Sequence, residues 1–219
     1  MSSFNIDFSD IRIILCVQGY HLDYQFIVRE IGFWCKDKSG SIPFNCKVNK
    51  NQLDCTNQQI ITHSEEEIHG IKLKKNFEFG LALSEVRAVL RTLYHINSGS
   101  DAKYIGIIGD DIMKGLLFKA GLGSYVIDVN YLNVFKQTNT RCPTNEMIIT
   151  HIKLNPEKYS FCTIHERLKN NESPICARIK AEFIANYCLN FSKSISSRLN
   201  IEMNEILKDI EKDSNITLN

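Results

Sequence analysis

Apolar positions along the chain fall into short runs and helical spacings separated by polar turns. Residues 11–17 (Ile-Arg-Ile-Ile-Leu-Cys-Val) form an apolar run that stops at Gln18-Gly19, which predicts a buried first strand. Residues 25–35 are β-branched and aromatic with polar breaks, and Lys36-Asp37-Lys38-Ser39-Gly40 follows them as a turn, so a second strand is expected there and a third over 41–48. Three strands joined by short turns make an antiparallel meander. The stretch 49–76 is polar and reads as irregular. Leu83, Val86, Val89, Leu90 and Leu93 then recur at helical spacing within 81–94, and Asn97-Ser98-Gly99 ends that helix.

Residues 104–108 are a further apolar run, followed by Gly109-Asp110-Asp111, a helical spacing through Ile112, Leu116 and Ala120, and a β-rich run at 125–129. This predicts a strand–helix–strand unit with the second strand parallel to the first. Thr144 is a candidate cap for a helix after Cys142-Pro143. Two more helices are expected, one over 175–189 behind Ser173-Pro174 and one carrying Leu199, Met203, Ile206, Leu207 and Ile210, with a frayed tail from about residue 213. Neither repeats nor a linker interrupt the pattern, which reads as one domain over residues 1–219. The order of elements resembles that of the ribonuclease H-like fold. The expected architecture is therefore α/β: a mixed sheet of three antiparallel and two parallel strands, flanked by helices.

Composition narrows the function classes. Of 219 residues, 43% are hydrophobic and 23% charged, a globular mixture that excludes wholesale disorder. Lys plus Arg number 26 against 25 Asp plus Glu, so attraction to nucleic acid cannot be carried by net charge and would need a local basic patch. The first residues lack a basic segment followed by an apolar one, and the run 13–17 is far too short to cross a bilayer. The chain therefore reads as an intracellular protein, cytoplasmic or nuclear, that uses no membrane. Its eight cysteines read as reduced thiols, and clustered Cys and His in that setting suggest metal before disulfides.

Cys162-Thr163-Ile164-His165 followed by Cys176 places three soft or borderline ligands within fifteen positions. Zn²⁺ takes four ligands in a tetrahedron, so a fourth is missing locally and a carboxylate from a distant strand could supply it. The bland alternative is a pair of buried thiols and a surface histidine.

The segment Phe161-Cys162-Thr163-Ile164-His165-Glu166, then Cys176-Ala177 opening a long helix, resembles the end of the Maelstrom domain. The likeness spans roughly residues 11–199. In that family the fourth zinc partner is a Glu within a Glu-Ile-Gly-type stretch of an early strand, and Arg29-Glu30-Ile31-Gly32 matches it here. The resemblance thus implies a structural zinc held by Glu30, Cys162, His165 and Cys176. Gln18-Gly19, His69-Gly70, Ile108-Gly109 and Cys142-Pro143 are also similar to features of the small, stand-alone, transposon-associated ribonuclease H-like proteins of insects. The Maelstrom likeness implies lost exonuclease acids, single-stranded RNA as a partner and a weak metal-independent RNA cleavage, for which no residue here is assignable.

A ribonuclease H-like exonuclease needs acidic residues to hold two divalent metals, beginning with an Asp-x-Glu on the first strand. This chain offers Cys16-Val17-Gln18, and neither side chain supplies a hard anionic oxygen. The chain is accordingly expected to be degenerate as an exonuclease, with a protein-interaction module on the same scaffold as the alternative and an active metal-dependent exonuclease as the third reading. Gly109-Asp110-Asp111 resembles a polymerase motif but precedes a helical pattern, where an Asp is more simply a cap. His63 and His69 each stand alone in a polar stretch, and Cys16 sits in an apolar strand where a thiol is inert. For nucleic acid, Lys72, Lys74 and Lys75 beside Phe77 and Phe79 form the best basic-aromatic cluster, with Arg178 and Lys180 as a second.

Overall fold

The computed structural model describes residues 5–23, 25–36, 38–45, 48, 50–68, 71, 80–96, 101–155 and 176–216. Among them runs one mixed sheet of six strands. Strand β1 (Ile11–Leu22) pairs antiparallel with β2 (Gln25–Cys35), and β2 pairs antiparallel with β3 (Lys38–Asn45). The two-residue strand β4 (Leu81–Ala82) lies parallel to β3 at one edge, while β5 (Tyr104–Ile107) and β6 (Val126–Asp128) run parallel to β1 on the other side. The order is β4-β3-β2-β1-β5-β6. The strand count corrects the expected five: Leu81-Ala82, which the spacing places in the following helix, is pulled out to pair with Phe44 and Asn45. Helix α2 therefore starts only at Val86 (Val86–His95).

Both hairpins are tighter than the polar residues suggest. Leu22 pairs with Gln25, and Asp23 takes a left-handed φ of 50° to begin the two-residue connection, so β1 runs past Gln18-Gly19. Cys35 pairs with Lys38, which draws Ser39-Gly40 into β3 instead of the turn. Gly40 is needed there for packing, since a Cβ would stand 2.7 Å from the Phe33 ring of its cross-strand partner.

Helix α1 (Cys55–His63) occupies the stretch read as irregular. Its propensity signal is poor, but Asp54 caps it by accepting the Asn57 N–H at 2.7 Å, and buried Ile61 packs with Tyr20 and Leu22 at the end of β1. Helix α3 (Asp111–Lys119) joins β5 to β6, and α4 (Asn133–Thr138) and α5 (Asn145–Leu154) follow. As expected, Thr144 caps α5, accepting the Met147 N–H at 3.3 Å. Helix α6 (Ala177–Ile216) is one element of 40 residues where two were expected, and it continues past residue 213. No Gly or Pro falls inside it, so the serine-rich stretch after Leu189 weakens the helix without breaking it. Among the described residues no helix is long and apolar enough to cross a membrane.

Alternation along β1 divides the core. Ile13, Leu15 and Val17 face α2 and α3, packing with Leu90, Met113 and Leu117. Ile14 and Cys16 face α4, α5 and α6, packing with Phe135, Ile148 and Ile184, and Ile11, ahead of a register shift at the start of the strand, joins that side.

Candidate metal centre and adjoining cavity

The register of β2 slips by one residue beside Gln18: Gln18 pairs with Glu30, but Gly19 pairs with Val28, leaving Arg29 as the extra residue of a β-bulge. The bulge changes which face each residue takes. Phe26 and Val28 pack on the α2–α3 side, and beyond the bulge so do Ile31, Phe33 and Cys35. Glu30, Gly32 and Trp34 are thereby turned toward α6. Arg29 is buried too, donating to the Phe44 carbonyl at 3.0 Å beside the Tyr20 ring.

Glu30 is fully buried, which a carboxylate tolerates only when partnered. Its Oε2 accepts the Ala177 N–H at 2.9 Å, and the buried Cys176 Sγ donates to its Oε1 at 3.5 Å. The Lys180 N–H donates to the Cys176 carbonyl at 3.1 Å, so Cys176 is the residue that opens α6 and Glu30 sits at the positive end of a 40-residue helix. Gly32 makes this approach possible. A Cβ there would lie 2.0 Å from the Ala177 carbonyl carbon, so the helix start rests directly on the strand.

These two side chains fit a shared Zn²⁺. Ligand bonds of about 2.3 Å to sulfur and 2.1 Å to oxygen at a tetrahedral angle place the donor atoms about 3.6 Å apart. The observed separation is 3.5 Å, across 146 residues of sequence. A four-ligand site needs two more donors, and the sequence candidates, Cys162 and His165, lie outside the described residues. Among the described residues no group of three or more His, Cys, Asp or Glu comes together as a metal site.

One helical turn along α6, Lys180 lines a cavity of about 520 Å³ with Gln18, His21, Phe26, Asp110 and Asp111. The cavity follows from the topology. Strand β5 pairs with β1 only over Ile11–Ile14, and the chain then leaves through Gly109, at a left-handed φ of 45°, into α3. A notch is left beside the second half of β1, at the carboxyl end of the parallel pair, where α/β sheets commonly bind ligands. Asp110 accepts the N–H groups of Ile112 and Met113 at 3.1 and 2.9 Å, and so caps α3 as the sequence pattern suggests. Gly109 donates to Asp128 Oδ2 at 3.1 Å, tying this corner to β6.

Cys16 links the two places. Burial pushes its thiol up to about 12; Lys180 pulls it down, and Asp110 and Glu30 push it further up. It is therefore a protonated core thiol with the cavity's charges on one side and the Glu30–Cys176 pair on the other.

The basic candidates separate. Arg178 donates to Glu182 at 3.0 Å and to Ser39 Oγ at 3.3 Å, binding α6 to β3. Lys180, two residues on and so on the other side of the helix, is the one that reaches the cavity. Lys72, Lys74, Lys75 and His69 lie outside the described residues, and exposed His63 ends α1 away from this cavity. Sequence reasoning did not find the cavity; its only local trace was the Gly109-Asp110 pair directly after a strand. Compared with family models and with curated proteins, the chain matches none.

Proposed function

We propose that the chain is a single ribonuclease H-like domain, intracellular and held by a structural zinc at Glu30, Cys162, His165 and Cys176, which binds single-stranded nucleic acid, RNA in preference, and has lost exonuclease chemistry. The observation that carries the zinc reading is the 3.5 Å approach of Glu30 to Cys176 beneath the start of α6. The order β3-β2-β1-β5-β6, with only β2 antiparallel to its neighbours, supports the fold assignment, β4 being an added edge strand. The notch beside β1 is a reasonable seat for a nucleotide: Phe26 and His21 offer rings for a base, and Lys180 a cation for phosphate.

Loss of nuclease chemistry is supported by what lines that notch. Two-metal phosphoryl chemistry needs several carboxylates around both ions. Here Cys16 and Gln18 stand on β1, one of the two aspartates is engaged in capping α3, and Lys180 adds a positive charge where a cation would sit. The second reading, a protein-interaction module, is favoured by the balanced charge of +1 and by the internal use of Arg178.

Stoichiometric metal analysis of protein purified without chelators tests the centre: one zinc per chain is expected, and its absence removes the proposal. Titration with single-stranded RNA at rising salt tests the partner. Binding that weakens with salt is expected, because phosphate contacts release counterions; no binding at low salt leaves the interaction module.

A further inference from the structure

On the side of the sheet away from α6, a groove of about 440 Å³ opens between the start of β2, the start of α2 and the end of α3. Its floor is apolar. Phe26, Val28, Val86 and Leu116 belong to the core on that side, and Leu83, 38% exposed, stands at the rim. Arg87 on α2 and Lys119 on α3 flank the groove, and both are exposed. Among the described residues no carboxylate lies within ion-pair distance of either. Glu85, two residues before Arg87, instead accepts the Ala82 N–H at 2.8 Å. Asp111 begins α3, about 12 Å along the helix from Lys119. Helices α2 and α3 together carry Arg87, Arg91, Lys114 and Lys119 against Asp111 alone, in a chain whose net charge is +1. The surface is thus basic here although the chain as a whole is balanced.

We propose that this groove docks a short acidic segment of another protein, which seats a bulky apolar side chain on Phe26, Val28 and Leu116 and sets carboxylates beside Arg87 and Lys119. The floor contributes affinity, because apolar surface on both partners leaves water. The two cations fix the orientation of the segment, speed its encounter and repel basic competitors. An arriving carboxylate meets no intramolecular acid that it must first displace from Arg87 or Lys119. Single-stranded RNA suits the groove poorly. Bases need open ring faces, and Phe26 is the one aromatic among the described lining residues, half-buried and edge-on to His21 at 4.8 Å. The chain's own Lys72, Lys74 and Lys75, shortly before β4 in sequence, carry the wrong charge to fill it. The groove lies across the sheet from the Glu30–Cys176 pair, so the proposal stands whether or not the zinc and RNA readings do.

The test pans a phage-displayed library of random linear peptides on the immobilised full chain. A fluorescein-labelled copy of the most enriched peptide is then titrated by polarisation. The expected consensus is a bulky apolar residue flanked by Asp or Glu. Arg87→Glu combined with Lys119→Glu should weaken that peptide by about tenfold or more, and rising salt should weaken it on the wild type. Lys114→Glu, exposed on α3 but outside the groove, should change it by less than about threefold. No enrichment, a consensus without acids, or equal binding to the double variant and the wild type overturns the proposal. Displacement of the peptide by oligouridine makes the groove a nucleic-acid surface and overturns it too. If the double variant does not fold, Arg87→Gln and Lys119→Gln, each titrated alone, decide.

Discussion

On the side of α2 and α3, β1 presents Ile13, Leu15 and Val17 to Leu90, Met113 and Leu117, an aliphatic contact of ordinary design. On the side of α6, the same strand presents Ile14 and Cys16 to a helix that sets the small, fully buried Ala177, Ala181, Ala185 and Cys188 among its inward residues beside Ile179 and Ile184. Small residues let α6 come close enough for its first amide to reach a strand carboxylate. The first face needs apolar volume and accepts rearrangement of it. The second is held by particular atoms at particular distances, and the Glu30–Cys176 pair lies there.

Four experiments press on that contrast. The largest effect is expected from Glu30→Ala, which removes a ligand of the proposed zinc and leaves the α6 N-terminus and the Cys176 thiol buried without their carboxylate. Zinc content should fall to background and Tm by more than about 10 °C, read by metal analysis and circular dichroism. Next is a pair of glycine substitutions. Gly32→Ala drives a methyl into the Ala177 backbone and should cost about 3 kcal/mol or more in urea unfolding. Gly115→Ala, inside α3 with open space around it, should be neutral or gain about 0.5–1 kcal/mol. Equal costs for the two would erase the distinction between the faces.

A third test uses pH. Because the hydrogen bond with Cys188 and burial raise the Cys142 thiol above its ordinary 9.0, the folded state holds a proton that the unfolded chain releases. That stability is complete below pH 9 and is lost above it, at up to about 1.4 kcal/mol per pH unit for one group. Urea midpoints in reductant at pH 8, 9 and 10 should fall, and Cys142→Ala should flatten the decline. The smallest effects separate two cations of one helix. Lys180→Gln should leave Tm unchanged while lowering the salt slope of RNA binding by about 0.7. Arg178→Gln should lower Tm by about 2 °C through the loss of its Glu182 and Ser39 contacts, with RNA affinity unchanged.

Much of the architecture was legible in the chain. The bounds of β2 follow from its β-branched and aromatic run, and the parallel pairing of β5 with β6 from a strand–helix–strand pattern. Asp110 and Thr144 announced two helix starts. What stayed hidden depends on contacts distant in sequence. Helix α1 exists because Ile61 finds Tyr20 and Leu22, and its own polar sequence gives little sign of it. Gly40 resembles a turn residue until the ring of Phe33 is placed against it. The Glu30–Cys176 pair was expected on family resemblance, and the two side chains do meet, but no local pattern in β2 foretells it. The notch beside β1 arises from where β5 stops pairing, a length that composition does not record.

The irregularity at Arg29 sets a rule of odd and even numbers for everything that follows it in β2. Count outward from the hairpin, and the extra residue decides whether a carboxylate looks at a helix or at its opposite number across the sheet. Straightening the bulge with Arg29 kept in the ladder would remove no side chain from this corner, yet it would set Glu30 opposite Val17, turn its carboxylate to the α2–α3 side and bring Ile31 round to face Cys176. A sequence comparison would register nothing of such a change, although the chemistry would be facing the wrong way.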